Sequence, residues 1–243
     1  MSDIYDDAAF FQAYSQMNRS KDGLNAAGEW HELRKLFPDF HGKRVLDLGC
    51  GYGWHCRYAA DHGASQVVGI DASTKMIQKA KSMTDQAQIH YQVLDMMAID
   101  QLAGSFDVVI SSLAIHYIKD YAGLINLIKA KMTSGGNLII SVEHPIFTAE
   151  GHEEWILGDD GRPKYWPVDR YFDESKRTTD FLGYPVEKYQ RTLTTYLNTL
   201  LNQGFNLDQI VEPTPTPKML AESQEMRDEL RRPMMLLIAA TLK

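Results

Sequence analysis

The chain has 243 residues, 44% hydrophobic and 23% charged, with a formal net charge of −7. A domain of this size buries roughly 70–75% of its unfolded surface, so it needs neither disulfides nor a structural metal. The acidic balance argues against nucleic acid as a partner, because nothing basic enough to hold a phosphate backbone is evident.

The two cysteines, Cys50 and Cys56, fit neither a disulfide framework nor a C-x-x-C zinc or redox spacing. His55 beside Cys56 would need two more ligands from elsewhere, so no metal is expected. The opening MSDIYDDAAFFQAY is acidic and lacks the basic-then-apolar pattern of a signal peptide. No apolar run approaches the ~18 residues of a membrane span. The expectation is a cytoplasmic protein without membrane contact.

In chain order, residues 5–36 read as helical, with Pro38 ending the run. KRVLDLG (43–49) is a short apolar strand running into glycines, and WHCRYAADHG (54–63) is a helix stopped by Gly63. QVVGIDAS (66–73) is a second strand, followed by a helix from Ser73 or Thr74 to about Met83. IHYQVLD (89–95) is a third strand, and FDVVISSLAIHYI (106–118) begins as a fourth. DYAGLINLIKAKM (120–132) reads as a helix and GGNLIISVEH (135–144) as a fifth strand. From His144 to about Lys188 the alternation stops and aromatic residues accumulate, among them Phe147, Trp155, Trp166, Phe172 and Phe181. A helix over 188–204, a strand near Phe205–Val211, the Pro-rich EPTPTP (212–217) and an apolar terminal strand (233–243) complete the chain.

This βαβα alternation predicts an α/β fold: a mostly parallel, seven-stranded sheet flanked by helices, with the last two strands antiparallel. Right-handed crossovers then gather the strand C-termini along one edge, where open α/β sheets bind ligands. The glycines of VLDLGCGYGWHCRYAA (45–60) lie at that edge. A dinucleotide fingerprint would place a third glycine where Trp54 stands, and a P-loop would need a lysine that is absent. The pattern is D-x-G-x-G-x-G instead: Asp47, Gly49, Gly51 and Gly53, with Asp71 ending the next strand and Asp95 the one after.

VLDLGCGYG, VVGIDAS, FDVVISSLAIHYI and GGNLIISVEHP together resemble the motifs of the class I S-adenosylmethionine-dependent methyltransferases, most closely their type 11, small-molecule branch. The resemblance covers about residues 40 to 145 and extends loosely to the terminal RRPMMLLIAATLK. It implies a Rossmann-like fold in one domain: an N-terminal helical cap (1–37), a cofactor-binding core (43–144), a lid insertion (145–190), and a C-terminal helix with the final strands (191–243). It implies S-adenosyl-L-methionine as cofactor and S-adenosyl-L-homocysteine as product. Gly49 and Gly51 would let the backbone approach the ligand without a Cβ clash, with Gly53 completing the motif. Asp71 would accept from both ribose hydroxyls, Asp95 from the adenine amine, and Met76 and Met96 would sandwich the ring. Ala72 and Ser112 complete the expected wall, with Ser111 and Leu113 near the sulfur. Asp47 would order the loop or reach the amino group through water. In the N-terminal cap, Tyr14 and Met17 would close the site, and Arg19 could clamp the methionyl carboxylate bidentately.

Methyl transfer is an in-line displacement that depends mainly on positioning. Where the acceptor carries a proton, a general base adds to it, and His116, Glu143 and His144 are the candidates, each at a strand end on the ligand edge. Glu143 could instead pair with an arginine of the cap or lid. The expected acceptor is a small molecule methylated on O, N or C. Three alternatives stand beside it: a tRNA-modifying methyltransferase, a nucleotide-dependent oxidoreductase, and a non-catalytic cofactor-binding protein. The acceptor's identity and the oligomeric state do not follow from the residues.

Overall fold

A computed structural model describes residues 2–243. Its strands are β1 (Arg44–Leu48), β2 (Gln66–Asp71), β3 (Ile89–Val93), β4 (Phe106–Ser112), β5 (Met132–Glu143), β6 (Ile156–Leu157), β7 (Pro163–Tyr165), β8 (Lys176–Phe181), β9 (Tyr184–Tyr189), β10 (Phe205–Val211) and β11 (Met235–Leu242). Seven of them form one sheet in the order β10-β11-β5-β4-β1-β2-β3. β1 pairs in parallel with both β2 and β4, while β11 runs antiparallel to both of its neighbours, β5 and β10. The chain winds outward from β1 to β3 and then returns to β4. This reversal opens a crevice at the C-terminal ends of β1 and β4.

Alternation along each strand supplies both faces of the sheet. Leu46, Leu48 and Ile70 enter one buried cluster with helix α7 (Tyr121–Lys131), while Val45, Val67 and Val108 enter a second on the opposite face. Numbering from the N-terminus, the helices before α7 are α1 (Ser2–Asp6), α2 (Ala8–Ser15), α3 (Asn18–Lys21), α4 (Trp30–Leu33), α5 (Trp54–Asp61) and α6 (Thr74–Ser82). After it come α8 (Pro145–Thr148) and α9 (Leu193–Asn202). Cys56, Ala59 and Ala60 of α5 pack in the second cluster; both cysteines are free and buried. Trp30 and Leu33 of α4 cover a third cluster with Ile139 and Leu237.

Several expected elements differ from those observed. Residues 5–36 form four short helices and a 3₁₀ turn rather than one helical run. Asp7 stops α1 by capping α2, accepting from Ala9 N and Phe10 N, and Gly23 at φ +65° turns the chain again. The helix expected from 188 begins at Leu193, because Val186 and Lys188 point inward at a strand's period of two and Thr192 caps the helix that follows. β4 ends at Ser112; Leu113 adopts φ +51° and Ile115–Tyr117 form a 3₁₀ turn. The insertion contains two small antiparallel hairpins, β6–β7 and β8–β9. No helix among the described residues is long and apolar enough to cross a membrane.

Candidate active site

The crevice is a cavity of about 1080 Å³, its open mouth included. Four strand ends build its floor: the loop after β1, the end of β2, the segment after β3 and the turn after β4. The N-terminal cap closes it from above. Gly49, Gly51, Asp71, Ala72 and Met76 line it, as do Asp95, Met96 and Ser112. Tyr14 and Arg19 of the cap also line it, whereas Met17 does not.

The glycine loop is pinned by its backbone. Gly49 N and Cys50 N both donate to Ile70 O at 2.9 Å, and Gly51 N donates to Asp71 Oδ2 at 3.0 Å. Gly49 has φ +71°, and a Cβ there would lie 2.5 Å from Ala114 Cβ. Gly51 has φ +51°, and a Cβ there would meet nothing within 4 Å. It opens onto the free space of the cavity. Gly53 differs: it is not on the cavity wall, and a Cβ would lie 2.1 Å from Tyr91 Oη. Its bareness makes room for a tyrosine. Asp47 is buried beneath the loop and away from the cavity, its Oδ2 accepting from Cys56 Sγ at 3.2 Å. Burial, with a smaller push from Asp71 and against the Cys56 bond, raises its pKa to about 7.

Asp71 Oδ1 accepts from Ser73 N at 2.9 Å, so each carboxylate oxygen already holds one backbone N–H. Each keeps a second lone pair for a ligand. Burial raises its pKa against those two bonds. Asp95 caps the turn at Met96–Gln101, accepting from Met97 N at 2.8 Å. Arg19 is not free: one of its nitrogens lies 3.1 Å from Oε1 of the buried Glu29. Asp107 stays at the far end of β4, accepting from Arg44 N and Thr133 Oγ1.

The three acid–base candidates lie outside the cavity wall. His144 is buried and structural: its Nδ1 accepts from Ile146 N to cap α8, and its Nε2 lies 2.8 Å from Glu212 Oε1. This corrects the expectation that the following proline aims it into the site. Glu143 and His116 adjoin each other, with His116 Nε2 3.9 Å from Glu143 Oε2. Glu143 Oε1 takes a 2.6 Å bond from Lys188 of β9, a lysine of the lid where an arginine was considered. Lys188 also reaches Glu153 at 2.9 Å. Burial holds His116 down to about 4, and burial together with Glu143 pushes Glu153 up to about 7. Burial works against the Glu143 charge, yet His116 and Lys188 keep its carboxyl below the usual range.

The expected lid supplies none of the residues lining the cavity. It touches the cap instead: Phe181 and Tyr184 pack on Phe10 at ring distances of 6.0 and 5.4 Å. Its other rings make a small core of their own. Trp166 stacks on Phe147 and meets Trp155 edge-on, with the Arg232 guanidinium 4.1 Å from its ring.

Residues 22–207 match the family model described as a methyltransferase domain. The chain belongs to that family. Over nearly its whole length this methyltransferase is similar to two solved structures. One is a crystal structure of a putative S-adenosylmethionine dependent methyltransferase from Listeria monocytogenes, 51% identical, with a TM-score of 0.86 over 91% of this chain and 99% of that one. The other is an S-adenosylmethionine dependent methyltransferase from Mesorhizobium loti, 41% identical, with a TM-score of 0.83 over 90% of this chain and all of that one. An uncharacterized protein of Haemophilus influenzae is 34% identical over 98% of this chain and 96% of its own length.

The methyltransferase's cavity also contains residues the motifs did not single out for it. Tyr5 and Tyr117 line it and share a hydrogen bond at 2.9 Å between their hydroxyls. Ser20, Gly23, Tyr52, Trp54 and His55 also line it. Trp54 was visible in the sequence as the residue breaking the dinucleotide pattern, and His55 only as the neighbour of Cys56 considered for a metal. Tyr5 and Ser20 gave no signal, because cap residues reach the site only through tertiary packing.

Proposed function

We propose that this methyltransferase uses S-adenosylmethionine and that its acceptor is a small molecule methylated on O, N or C. One observation carries the cofactor reading: Asp71 and Asp95, at adjacent strand ends, share a single cavity with the bare face of Gly51. When bound, the cofactor supplies an electrophilic methyl group on a sulfonium. Asp71 has lone pairs free for two ribose hydroxyls, and charge-assisted bonds of this kind contribute about 1.5–3 kcal/mol each. Asp95 receives the adenine amine, and Met76 and Met96 flank the ring. Ser112 and its neighbours form the wall on the β4 side.

The small-acceptor reading rests on the wall chemistry. Arg19 is the sole lysine or arginine on the described cavity wall, and Glu29 already neutralises it. The rings of Tyr5 and Tyr14 from the cap, and of Tyr117 after β4, also line it. Such a wall suits an uncharged or cationic organic acceptor better than a polyanion. Holding the reactants in line can supply about 7–11 kcal/mol of the barrier. None of the three acid–base candidates lines the cavity, so this reading rests the transfer on positioning rather than on a general base. Calorimetric titration with S-adenosylmethionine, S-adenosylhomocysteine and NADH tests the cofactor. Micromolar binding of the first two without NADH is expected; binding of NADH alone would overturn the reading.

A further inference from the structure

Two carboxylates share one ammonium at the end of β5. Lys188 Nζ lies 2.6 Å from Glu143 Oε1 and 2.9 Å from Glu153 Oε2. Thr179 Oγ1 adds a bond to Glu153 Oε2 at 3.3 Å. Three separate stretches meet here. Glu143 ends β5, Glu153 lies between α8 and β6, and Thr179 and Lys188 belong to the β8–β9 hairpin. Glu153 sits at φ +60°, a backbone region that residues with a Cβ adopt rarely and keep only when their surroundings hold them there. The charged side chains are largely removed from water, with exposures of 3% for Lys188, 10% for Glu153 and 16% for Glu143.

With both carboxylates ionised, this cluster is one positive charge short. Burial works against the Lys188 charge, but Glu143 and Glu153 outweigh it, so the lysine keeps its proton. His116 Nε2, 3.9 Å from Glu143 Oε2, belongs to a ring that burial keeps neutral. Arg191, which faces His116 from beyond β9, is bonded to the carbonyls of Ile118 and Lys119. The Tyr5 and Tyr117 hydroxyls also feel Glu143, and burial holds both neutral. A proton on Glu153 brings the cluster into balance. It also gives Glu143 a hydrogen-bond donor, since the Glu153 carboxyl lies within reach of it. Glu143 Oε2 is otherwise buried without a partner. Two adjoining carboxylates in a buried site share a proton in this way because both cannot readily ionise together.

We propose that one proton, held between Glu153 and Glu143 beside Lys188, latches the insertion to the sheet, and that the latch loosens as the pH rises above neutrality. The hairpin it holds carries Phe181 and Tyr184, on which Phe10 of the cap packs. Burial, then the Glu143 charge, raises the Glu153 pKa from 4.5 to about 7. The docked segment therefore binds more protons than the released one between those values. Its docking is firmest below about 4.5 and is lost progressively as the pH rises through about 7.

Hydrogen exchange on the full chain tests the latch, read as protection factors because intrinsic exchange itself speeds up with pH. Protection in 176–189 should fall about tenfold from about pH 6 to about pH 8.5, the ratio set by a carboxyl that titrates near 7 when docked and near 4.5 when released. Glu153→Gln keeps the shape and a donor but cannot titrate, so its protection in 176–189 should stay within about twofold across the same range. A wild type with constant protection, or a variant that retains the wild-type fall, would overturn the proposal. If Glu153→Gln does not fold, the wild type labelled with 13C only in its glutamate carboxyls carries the test, with Asp47 silent. One glutamate signal should titrate with a midpoint near 7, and the absence of any such signal would overturn the latch as well.

Discussion

The glycine-loop end of the cavity and the insertion edge of the sheet are assembled in opposite ways. At the glycine loop, a strand, a turn and the next strand's last residue suffice. Gly49 and Cys50 bond to Ile70, Gly51 bonds to Asp71, and Asp71 bonds to Ser73, all within 24 residues of one another in the chain between Gly49 and Ser73. At the insertion edge, Glu143 meets Lys188 from 45 residues away, and Lys188 meets Glu153 from 35. The first region is a local backbone device that fixes the glycine loop and both oxygens of Asp71. The second is a long-range charge network in which each side chain depends on a partner from another element. Local devices leave a motif in the sequence, and long-range networks do not.

Four substitutions would break or sharpen this comparison. The largest effect belongs to Lys188→Met, which leaves Glu143 and Glu153 buried together without their shared cation. Breaking a buried pair in this way costs about 3–5 kcal/mol. Urea unfolding should read that loss, and hydrogen exchange should rise first in the hairpin 176–189. S-adenosylhomocysteine affinity should stay within about twofold, and a collapse of binding would show that the two regions are not separate. Gly49→Ala comes next. Its Cβ would press on Ala114 at a left-handed φ, and overpacking of this kind costs about 1–3 kcal/mol, visible as a lower melting temperature.

Asp71→Ala acts on binding rather than on the lid. The loss of hydrogen bonds to a charged acceptor should weaken S-adenosylhomocysteine at least about tenfold by calorimetry. An unchanged affinity would remove Asp71 from the site. The smallest effect concerns pH. The folded pKa of His116, about 4, lies below its usual 6.5, so the unfolded chain binds more protons between those values. The folded state therefore loses stability as the pH falls from about 6.5 towards 4. His116→Phe removes this term, so the melting-temperature advantage of the wild type over the variant should shrink across that window. A constant difference would mean that His116 is not held neutral in the fold.

Much of the cavity wall around the glycine loop was legible in the sequence. Gly49, Gly51, Asp71, Asp95 and their methionine neighbours occupy strand ends, and strand ends follow from apolar runs and turn residues. Gly53 shows where motif reading overreaches, since its neighbour is Tyr91 and not the cavity. His144 shows the same at the other edge. The histidine before a proline suggested a turn into the site, but the helix start that follows captures its Nδ1. The cap and lid were read least well. Their short helices and hairpins are set by what they pack against, as Val186 and Lys188 show by alternating inward where a helix was expected.

By itself, the sequence determined the mostly parallel sheet and its ligand edge, because hydrophobic period and glycine placement are properties of neighbouring residues; the order of the strands came from the tertiary structure. Only the tertiary structure decided that Trp54, His55 and Ser20 share one wall, that Arg19 is drawn to Glu29, and that Lys188 bridges two carboxylates. Those contacts join residues whose separation along the chain carries no information about their distance in space. Burial then sets their chemistry, because a polar atom removed from water must find its partner in whatever the fold brings beside it.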